Sequence, residues 1–349
     1  MPAEPIGLEA AYGRILAAEL RAGIDVPSWD NSAMDGYAVR AADTADGEVA
    51  LRLLDVVGAG SVSAAVVAPG TAIGIMTGAP MPDGADAVVM VEDTDGAREG
   101  VVRIRGRATA GQHVRRRGED VRCDDVVLHV GARLGPAAVG LASSLGVTAL
   151  SVYRRPVVAV LSTGDEVVRP GVERRPGQIW SSNNASLVGQ VLEAGAAPLD
   201  LGIVGDQLDD VVAALRRAIA DADVVITTGG VSVGMYDVVK DAYAKVGAPV
   251  DFWRVRMKPG KPLAFGRIPV GDRVVPLFGL PGNPVSCMVN FLQFVRPYLR
   301  RAMGDPRPFL PVVDAVAAES FADGPGRARL IRVTVTRGAD GVLIARATG

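Results

Sequence analysis

A chain of 349 residues is more than one ordinary hydrophobic core organises, so two to four domains are expected. Hydrophobic residues make up 49% and charged residues 22%, enough to bury cores, and 37 basic against 39 acidic residues leave no charge excess to announce nucleic acid or an anionic membrane. No stretch approaches the roughly 18 to 20 uninterrupted apolar residues of a membrane span, the N-terminus lacks the pattern of a signal peptide, and Cys123 and Cys287 have no metal or redox spacing, which fits a reducing, cytoplasmic setting.

Residues 1 to about 20 are expected to form a helix, with Leu8, Tyr12, Ile15 and Leu16 on one face. From Ile24 to about Leu134 short β-prone runs (49–57, 87–91, 101–104 and 126–130) alternate with Gly, Pro and Asp turns, as in a small β-rich domain. Pro136 to Leu145 turns helical again, so the β domain is expected as an insertion within a helical linker. From Pro156 the rhythm becomes strand and helix in alternation. Strands are expected at 157–161, 199–204, 224–227 and 274–278, with helices at about 185–193, 208–220, 237–246 and 284–303. That alternation predicts a parallel sheet covered by helices on both faces. The tail from Pro311 has two further β-prone stretches and stops at Gly349 in what reads as an unfinished β domain. The expected parts are a discontinuous helical linker (1–23 and 135–155), a β-rich insertion (24–134), an α/β domain (156–304) and a C-terminal β domain (305–349).

Ligands of open α/β sheets bind at the carboxyl ends of the strands. Here those ends carry Ser162-Thr163-Gly164-Asp165-Glu166, Gly205-Asp206, Thr228 to Gly234, and Leu280 to Ser286. The glycines around Gly229, Gly230 and Gly234, with Ser232, would let backbone N–H groups face a phosphate at a helix start; the alternative is an ordinary tight turn. In Lys258-Pro259-Gly260-Lys261-Pro262 the prolines and glycine can hold two ammonium groups near one point. Such a pair is costly unless an anion lies between them, although a solvated basic turn would read the same way. Glu166, Asp206 and Asp237 lie on three strand-end loops and could share Mg²⁺ with substrate phosphates; Asp206 and Asp237 could equally be helix N-caps. Asn283 and Ser286 open the last long helix, a geometry suited to anions. In the β-rich part, the polar segments 30–37, 77–84 and 115–120 read by themselves as loops and turns.

The segments DNSAMDGYAVR (30–40), TGAPMPDGADAVVMVE (77–92), RRRGEDV (115–121), STGDEVV (162–168), TTGGVSVGMYD (227–237), KPGKPLAFG (258–266) and LPGNPVS (280–286) follow one another along the chain. Together they resemble the signature of the MoeA and gephyrin E-domain family, the molybdopterin molybdotransferases, over about residues 5 to 335. The resemblance implies an α/β multidomain fold: a helical linker, an inserted β-rich domain, a parallel-sheet domain for the pterin nucleotide and a C-terminal β-barrel. It implies a transferase that inserts molybdate into adenylyl-molybdopterin and releases AMP in the last step of molybdenum cofactor synthesis. It further implies Mg²⁺ as cofactor, a homodimer with shared active sites, and contact with the molybdopterin adenylyltransferase. Carried over by motif, Glu166, Asp206 and Asp237 serve the nucleotide and Mg²⁺. Lys258, Lys261, Pro262 and Ser286 serve molybdate and phosphate. Thr163, Gly229, Gly230 and Ser232 line the nucleotide site, and Asp35, Thr77, Arg115 and Asp120 are functional positions of the β domain. The family's barrel also supplies a serine and an arginine; Arg327 and Arg332 both match the arginine. The adenylyltransferase shares the α/β domain, but the first 150 residues and the KPGKP turn argue against that activity. A scaffold role, as in the gephyrin relatives, would need an exposed partner groove.

Overall fold

Strands buried on both faces need apolar side chains in both directions, and the segment Val157-Val158-Ala159-Val160-Leu161 meets that need. In the computed structural model, which describes residues 1–229, 238–321 and 326–348, it forms β1 (Val157–Thr163). The same sheet contains β2 (Ala197–Val204), β3 (Val224–Thr228), β4 (Val250–Arg254), β5 (Pro262–Val270) and β6 (Arg273–Leu280), in the order β2-β1-β3-β6-β5-β4. The first four are parallel, as the alternation predicts; β5 and β4 add antiparallel strands at one side.

Helices cover both faces. On one, Val211, Leu215 and Ala218 of the helix Leu208–Asp221 and Val239 and Tyr243 of the helix Val238–Lys245 pack on Ala159, Leu161 and Val225. On the other, Leu187 and Val191 of the helix Asn183–Glu193 join Cys287, Phe291 and Leu299 against Val158, Val160 and Ile226. Neighbouring β1 residues thus serve opposite cores, each fully buried aliphatic side chain contributing about 1.5–3 kcal/mol. The run expected as one helix at 284–303 is continuous but changes pitch: α-helical over Pro284–Asn290, π-helical over Phe291–Val295, α-helical again over Arg296–Ala302. Pro297 lacks an N–H and its ring crowds the preceding turn, and the wider turn relieves both.

The amino ends of β1 and β3 are clamped electrostatically. Asp223 accepts from both guanidinium nitrogens of Arg154, at 2.7 and 2.9 Å, and from the Val157 N–H at 2.7 Å, while its own N–H donates to Val157 O at 2.8 Å. Burial opposes the charge on Asp223, but Arg154 and the Val157 N–H overcome it and hold the carboxyl below its ordinary range.

The helix expected over residues 1 to 20 does not form. Ala3–Gly7 is a strand paired antiparallel with Ala149–Tyr153, followed by a single helical turn at Leu8–Ala10. Pro5 is poorly suited to a helix interior, and the helical stripe dissolves: Ile15 and Leu16 are buried whereas Tyr12 is half-exposed.

The chain separates into two compact units, one of residues 1–17, 130–135 and 149–349, the other of residues 18–129 and 136–148. The second holds a six-stranded sheet in the order Ala87–Met90, Gly36–Val39, Thr71–Ile75, Glu48–Val57, Val101–Arg105, Thr94–Arg98, with a core on each face, and the helix Pro136–Ser144. In the first unit, a small sheet of Val316–Ala317, Leu343–Ala347 and Val333–Arg337 follows, and Ala328–Arg329 pairs with Met257–Lys258. No helix among the described residues is long and apolar enough to cross a membrane.

The Asp223 clamp has a definite pH signature. A carboxyl with a depressed folded-state pKa contributes stability above its unfolded pKa of about 4 and loses it as pH falls through the folded value. Asp223→Asn should cost about 1–3 kcal/mol at pH 7, and the gap to wild type should narrow below pH 4. Urea unfolding from pH 7 to pH 3 measures it; a gap that does not change with pH would contradict the clamp.

Candidate active site

The parallel strands end level with one another. Ser162 of β1 pairs with Thr228 of β3, and Thr228 with Leu280 of β6. At that level the sequence turns polar, and the side chains bond across the edge. Thr228 Oγ1 donates to Pro281 O (3.1 Å) and accepts from Asn183 Nδ2 (2.9 Å), which also donates to Gly282 O (2.9 Å). Asn184 accepts from Ser162 and Ser181 and donates to Asp200 (2.8 Å) and Gly202 O (3.1 Å), joining β1 to β2. Gly229, at φ +91°, is required here: a Cβ would lie 2.2 Å from Thr163 O.

These groups border a cavity of about 330 Å³ whose walls include Thr163, Glu166, Trp180, Asn183, Thr228 and Gly229. Of these, Thr163, Glu166 and Gly229 are predicted site residues. The hydroxyl of Thr163 and the Oδ1 of Asn183 are buried without a hydrogen-bond partner among the described residues. Trp180, Asn183 and Asn184 are not among the residues the sequence points to, although the pair of asparagines just before an expected helix is the kind of polar signal that marks a helix start. Gly230, Ser232 and Asp237 lie outside the described residues.

Asp206 is not the helix N-cap that was expected as one of its two readings. Gln207 occupies that position without a side-chain cap bond. Asp206 instead faces the β1 loop: its Oδ2 accepts from the Asp165 N–H at 3.4 Å, and its own N–H donates to Asp165 Oδ1 at 3.0 Å. The β1 and β2 loops are thereby tied together. Among the described residues, no three acidic, His or Cys side chains converge as a ready-made metal site.

The Lys258–Pro262 turn reaches the same edge because β5 is antiparallel to β6, pairing Ala264 with Gly279 near the end of β6. Asn290, completely buried in the helix behind, donates from Nδ2 to Pro262 O at 2.8 Å. Gly260 sits at φ +96° against that same side chain, so close that a Cβ would lie 2.1 Å from Asn290 Oδ1. Lys258 and Lys261 are exposed, and neither ammonium has a partner among the described residues. Lys258 also borders a second cavity of about 400 Å³, shared with Arg329 and Arg332; Arg327 does not line it. At the start of the last helical run, Asn283 is the N-cap and accepts from the Ser286 N–H at 3.2 Å. That N–H is therefore engaged, and Ser286 can serve an anion through its hydroxyl. Burial pushes the neighbouring Cys287 thiol up to about 11, which keeps it protonated and inert as a nucleophile.

In the other unit the three polar segments converge. Asn31 and Ser32 pair with Arg115 and Val114, Ser32 exchanges backbone bonds with Gly78 and Ala79, and Asp30 accepts from Arg116 (2.6 Å) and the Arg117 N–H (2.8 Å). Asp35 accepts from the Thr77 N–H (2.7 Å) and hydroxyl (2.8 Å), which hold its carboxyl below the usual range. Arg115 reaches Glu119 (3.1 Å) and Asp120 (2.7 Å). All four predicted residues of this unit are thus engaged in polar contacts around one converging set of loops.

Residues 1–146 match the family model for the MoeA N-terminal region (domain I and II), and residues 159–301 match that of the "Probable molybdopterin binding domain". The chain is 43% identical to molybdopterin molybdenumtransferase 2 of Mycobacterium tuberculosis, over 97% of its own length and 84% of the relative's. It is 37% identical to the molybdopterin molybdenumtransferase of Bacillus subtilis, over 99% of this chain and 81% of that one. The crystal structure of the molybdopterin biosynthesis MoeA protein from Pyrococcus horikoshii OT3 superposes with a TM-score of 0.82 at 28% identity, covering 99% of this chain and 84% of that chain.

The geometry of the lysine turn is directly testable. Gly260→Ala should destabilise the fold by at least about 1–2 kcal/mol, the cost of a left-handed conformation for an L-residue, because its Cβ also meets a buried side chain. Thermal melting measures this, and an unchanged melting temperature would contradict the packing described.

Proposed function

This chain belongs to the MoeA family of molybdopterin molybdenumtransferases, enzymes that transfer molybdenum, and from that premise we propose that it inserts molybdate into adenylyl-molybdopterin and releases AMP. The observation that carries the reading is the sheet edge itself. A cavity lined by the ends of β1, β3 and β6 lies on the same carboxyl edge as a glycine-hinged turn bearing two exposed ammonium groups that have no partner among the described residues. Two lysines on one short, anchored turn would suit a compact dianion, and molybdate is one.

In this mechanism the chain's residues bind and orient. Lys258, Lys261 and the Ser286 hydroxyl hold molybdate, stabilising negative charge in a fixed array. The strand-end loops hold the pterin nucleotide so that its dithiolene and the oxyanion meet without a costly bimolecular encounter. Glu166 and Asp206, with Asp237 outside the described residues, are the carboxylates that would hold Mg²⁺. One or two protein carboxylates together with substrate phosphates are enough for that ion, so the carboxylates present fit it even without a three-residue cluster. Bound there, Mg²⁺ would neutralise the pyrophosphate. The reading places the protein in the cytoplasm, as a homodimer with shared active sites that receives its substrate from the adenylyltransferase.

Two outcomes follow. Lys261→Ala should leave folding intact and reduce the use of molybdate about tenfold or more, the scale of a charge-assisted contact of roughly 1.5–3 kcal/mol. AMP release followed across a molybdate titration measures this, and wild-type dependence on molybdate would exclude the clamp. If active sites are shared in a homodimer, inactive Asp35→Ala and Lys261→Ala chains should recover activity when mixed. Each heterodimer would then carry one intact site and up to about half the normal activity. Absence of recovery after demonstrated subunit exchange would place the whole site within one chain.

A further inference from the structure

Trp180 is half-exposed, with 50% of its surface accessible, yet it is held in place from three sides. Its backbone belongs to the short strand Ile179–Trp180, which pairs with Val167–Val168 directly after the β1 loop and is bonded on either side through the Ile179 N–H to Glu166 O (2.7 Å) and the Ser181 N–H to Val168 O (2.8 Å). Its indole N–H donates to Val172 O at 2.9 Å. The Arg174 guanidinium lies 4.2 Å from the ring centroid, a cation–π contact. Arg174 does not line the strand-end cavity, whereas Trp180 does.

An indole with its polar atom satisfied and a cation against the ring has little freedom left, and what it offers the cavity is apolar aromatic surface. The rest of the cavity fits a flat, neutral group with hydrogen-bonding edges. Ile179, Val167 and Pro284 add apolar wall, while Thr163 Oγ1 and Asn183 Oδ1 lack partners among the described residues. The orientation of the Asn183 amide is fixed, because its nitrogen donates to a carbonyl, Gly282 O, leaving only an acceptor on the other side. Among the described residues lining the cavity, the only charged side chain is that of Glu166, an anion. No described lysine or arginine lines it, so it is poorly suited to a phosphate acting alone.

We propose that Trp180 is the stacking platform for the planar heteroaromatic ring of the substrate nucleotide, pterin or purine, with Arg174 steadying the indole. This rests on the function proposed above and assigns one part of the substrate to one part of the sheet edge: the ring to the Trp180 cavity, the oxyanion to the lysine turn. Purine and pterin share the relevant chemistry, a flat π-face and an edge bearing an amino group.

Calorimetric titration of the full chain with AMP and, separately, with neopterin tests the proposal and tells the two rings apart. Trp180→Ala should weaken the ring that stacks by about tenfold, the usual scale for losing an aromatic platform, and leave the other ring within about twofold. Trp180→Phe, which keeps a stacking surface, should bind that ring within about threefold of wild type, and this conservative rescue separates stacking from a general loss of fold. Tryptophan emission should fall on binding in the wild type but not in Trp180→Phe, which retains Trp29 and Trp253. Unchanged affinity of both compounds for Trp180→Ala would overturn the platform and leave the molybdotransferase reading standing. Failure of both compounds to bind the wild-type chain would overturn the two together.

Discussion

Level parallel pairing across β1, β3 and β6 is the constraint on which the site depends. Ser162, Thr228 and Leu280 stand opposite one another, so the loops leaving the three strands start from one line. Because both faces of the sheet are buried, the strand interiors must be apolar, and the first positions free to be polar are at their ends. Ser162, Thr163 and Thr228 occupy those positions and are themselves buried. The hydrogen bonds of Ser162 and Thr228 are found locally, whereas the Thr163 hydroxyl has no partner among the described residues. Thr228 finds Pro281 O and Asn183; Ser162 finds Asn184. The need to satisfy buried polar groups at the end of a parallel sheet thus builds the floor of the cavity.

The lysine turn answers a different problem. Lys258 and Lys261 are both exposed on one short turn, and a flexible loop would leave their placement undefined. Pro259, Pro262 and the left-handed Gly260 remove much of that freedom, and the Asn290 amide fixes the turn from behind through Pro262 O. Asn290 lies at the last α-helical residue before the π-helical segment, so the irregular pitch ahead of Pro297 and the anchor of the turn occupy adjacent positions.

How much was legible depends on how local the determining physics is. The four parallel strands and their helices were readable because apolar runs of strand length alternate with amphipathic helical stretches. Strand β5 is hidden from the sequence because Pro262, Gly266 and Pro269 interrupt its β-prone pattern and pairing with β6 makes a strand of it, and β4, a short run with Asp251 and Arg254 in it, forms only as the edge partner of β5. The opposite error occurred at the N-terminus, where an i, i+4 spacing suggested a helix and the partner strand Ala149–Tyr153 prevailed. Glu166, Thr163 and Gly229 were found because the rule for strand ends is topological. Asn183 and Trp180 were not, since a lone tryptophan after Gly177-Gln178-Ile179 carries no periodicity and its exposure is a property of the fold. Asp206 was misread in part because a carboxylate one residue before a helix looks like a cap from sequence, whereas a loop 41 positions away supplies its hydrogen-bond partner. The convergence of residues 30–37, 77–84 and 115–120 likewise depends on backbone bonds between segments some 40 to 85 positions apart in sequence, which composition does not encode.

A division of charge along the sheet edge ties these observations together. The cavity between the β1, β3 and β6 ends contains an anion, aromatic and aliphatic walls and neutral hydrogen-bonding groups, but no described cation. The cations stand on the turn entering β5, at the same edge but outside that cavity. A nucleotide joined to a sulfur-bearing pterin is itself divided in this way, into flat neutral rings and an anionic pyrophosphate. On the function proposed above, an edge that separates aromatic surface from positive charge would orient such a molecule, with the ring against Trp180, the pyrophosphate at the rim where Glu166 could share Mg²⁺ with it, and the oxyanion toward Lys258 and Lys261. Orientation of that kind is a term in catalysis as well as in binding. It costs this fold little, because the antiparallel return of β5 brings the lysines to the carboxyl edge while keeping them on a loop separate from the parallel strand ends.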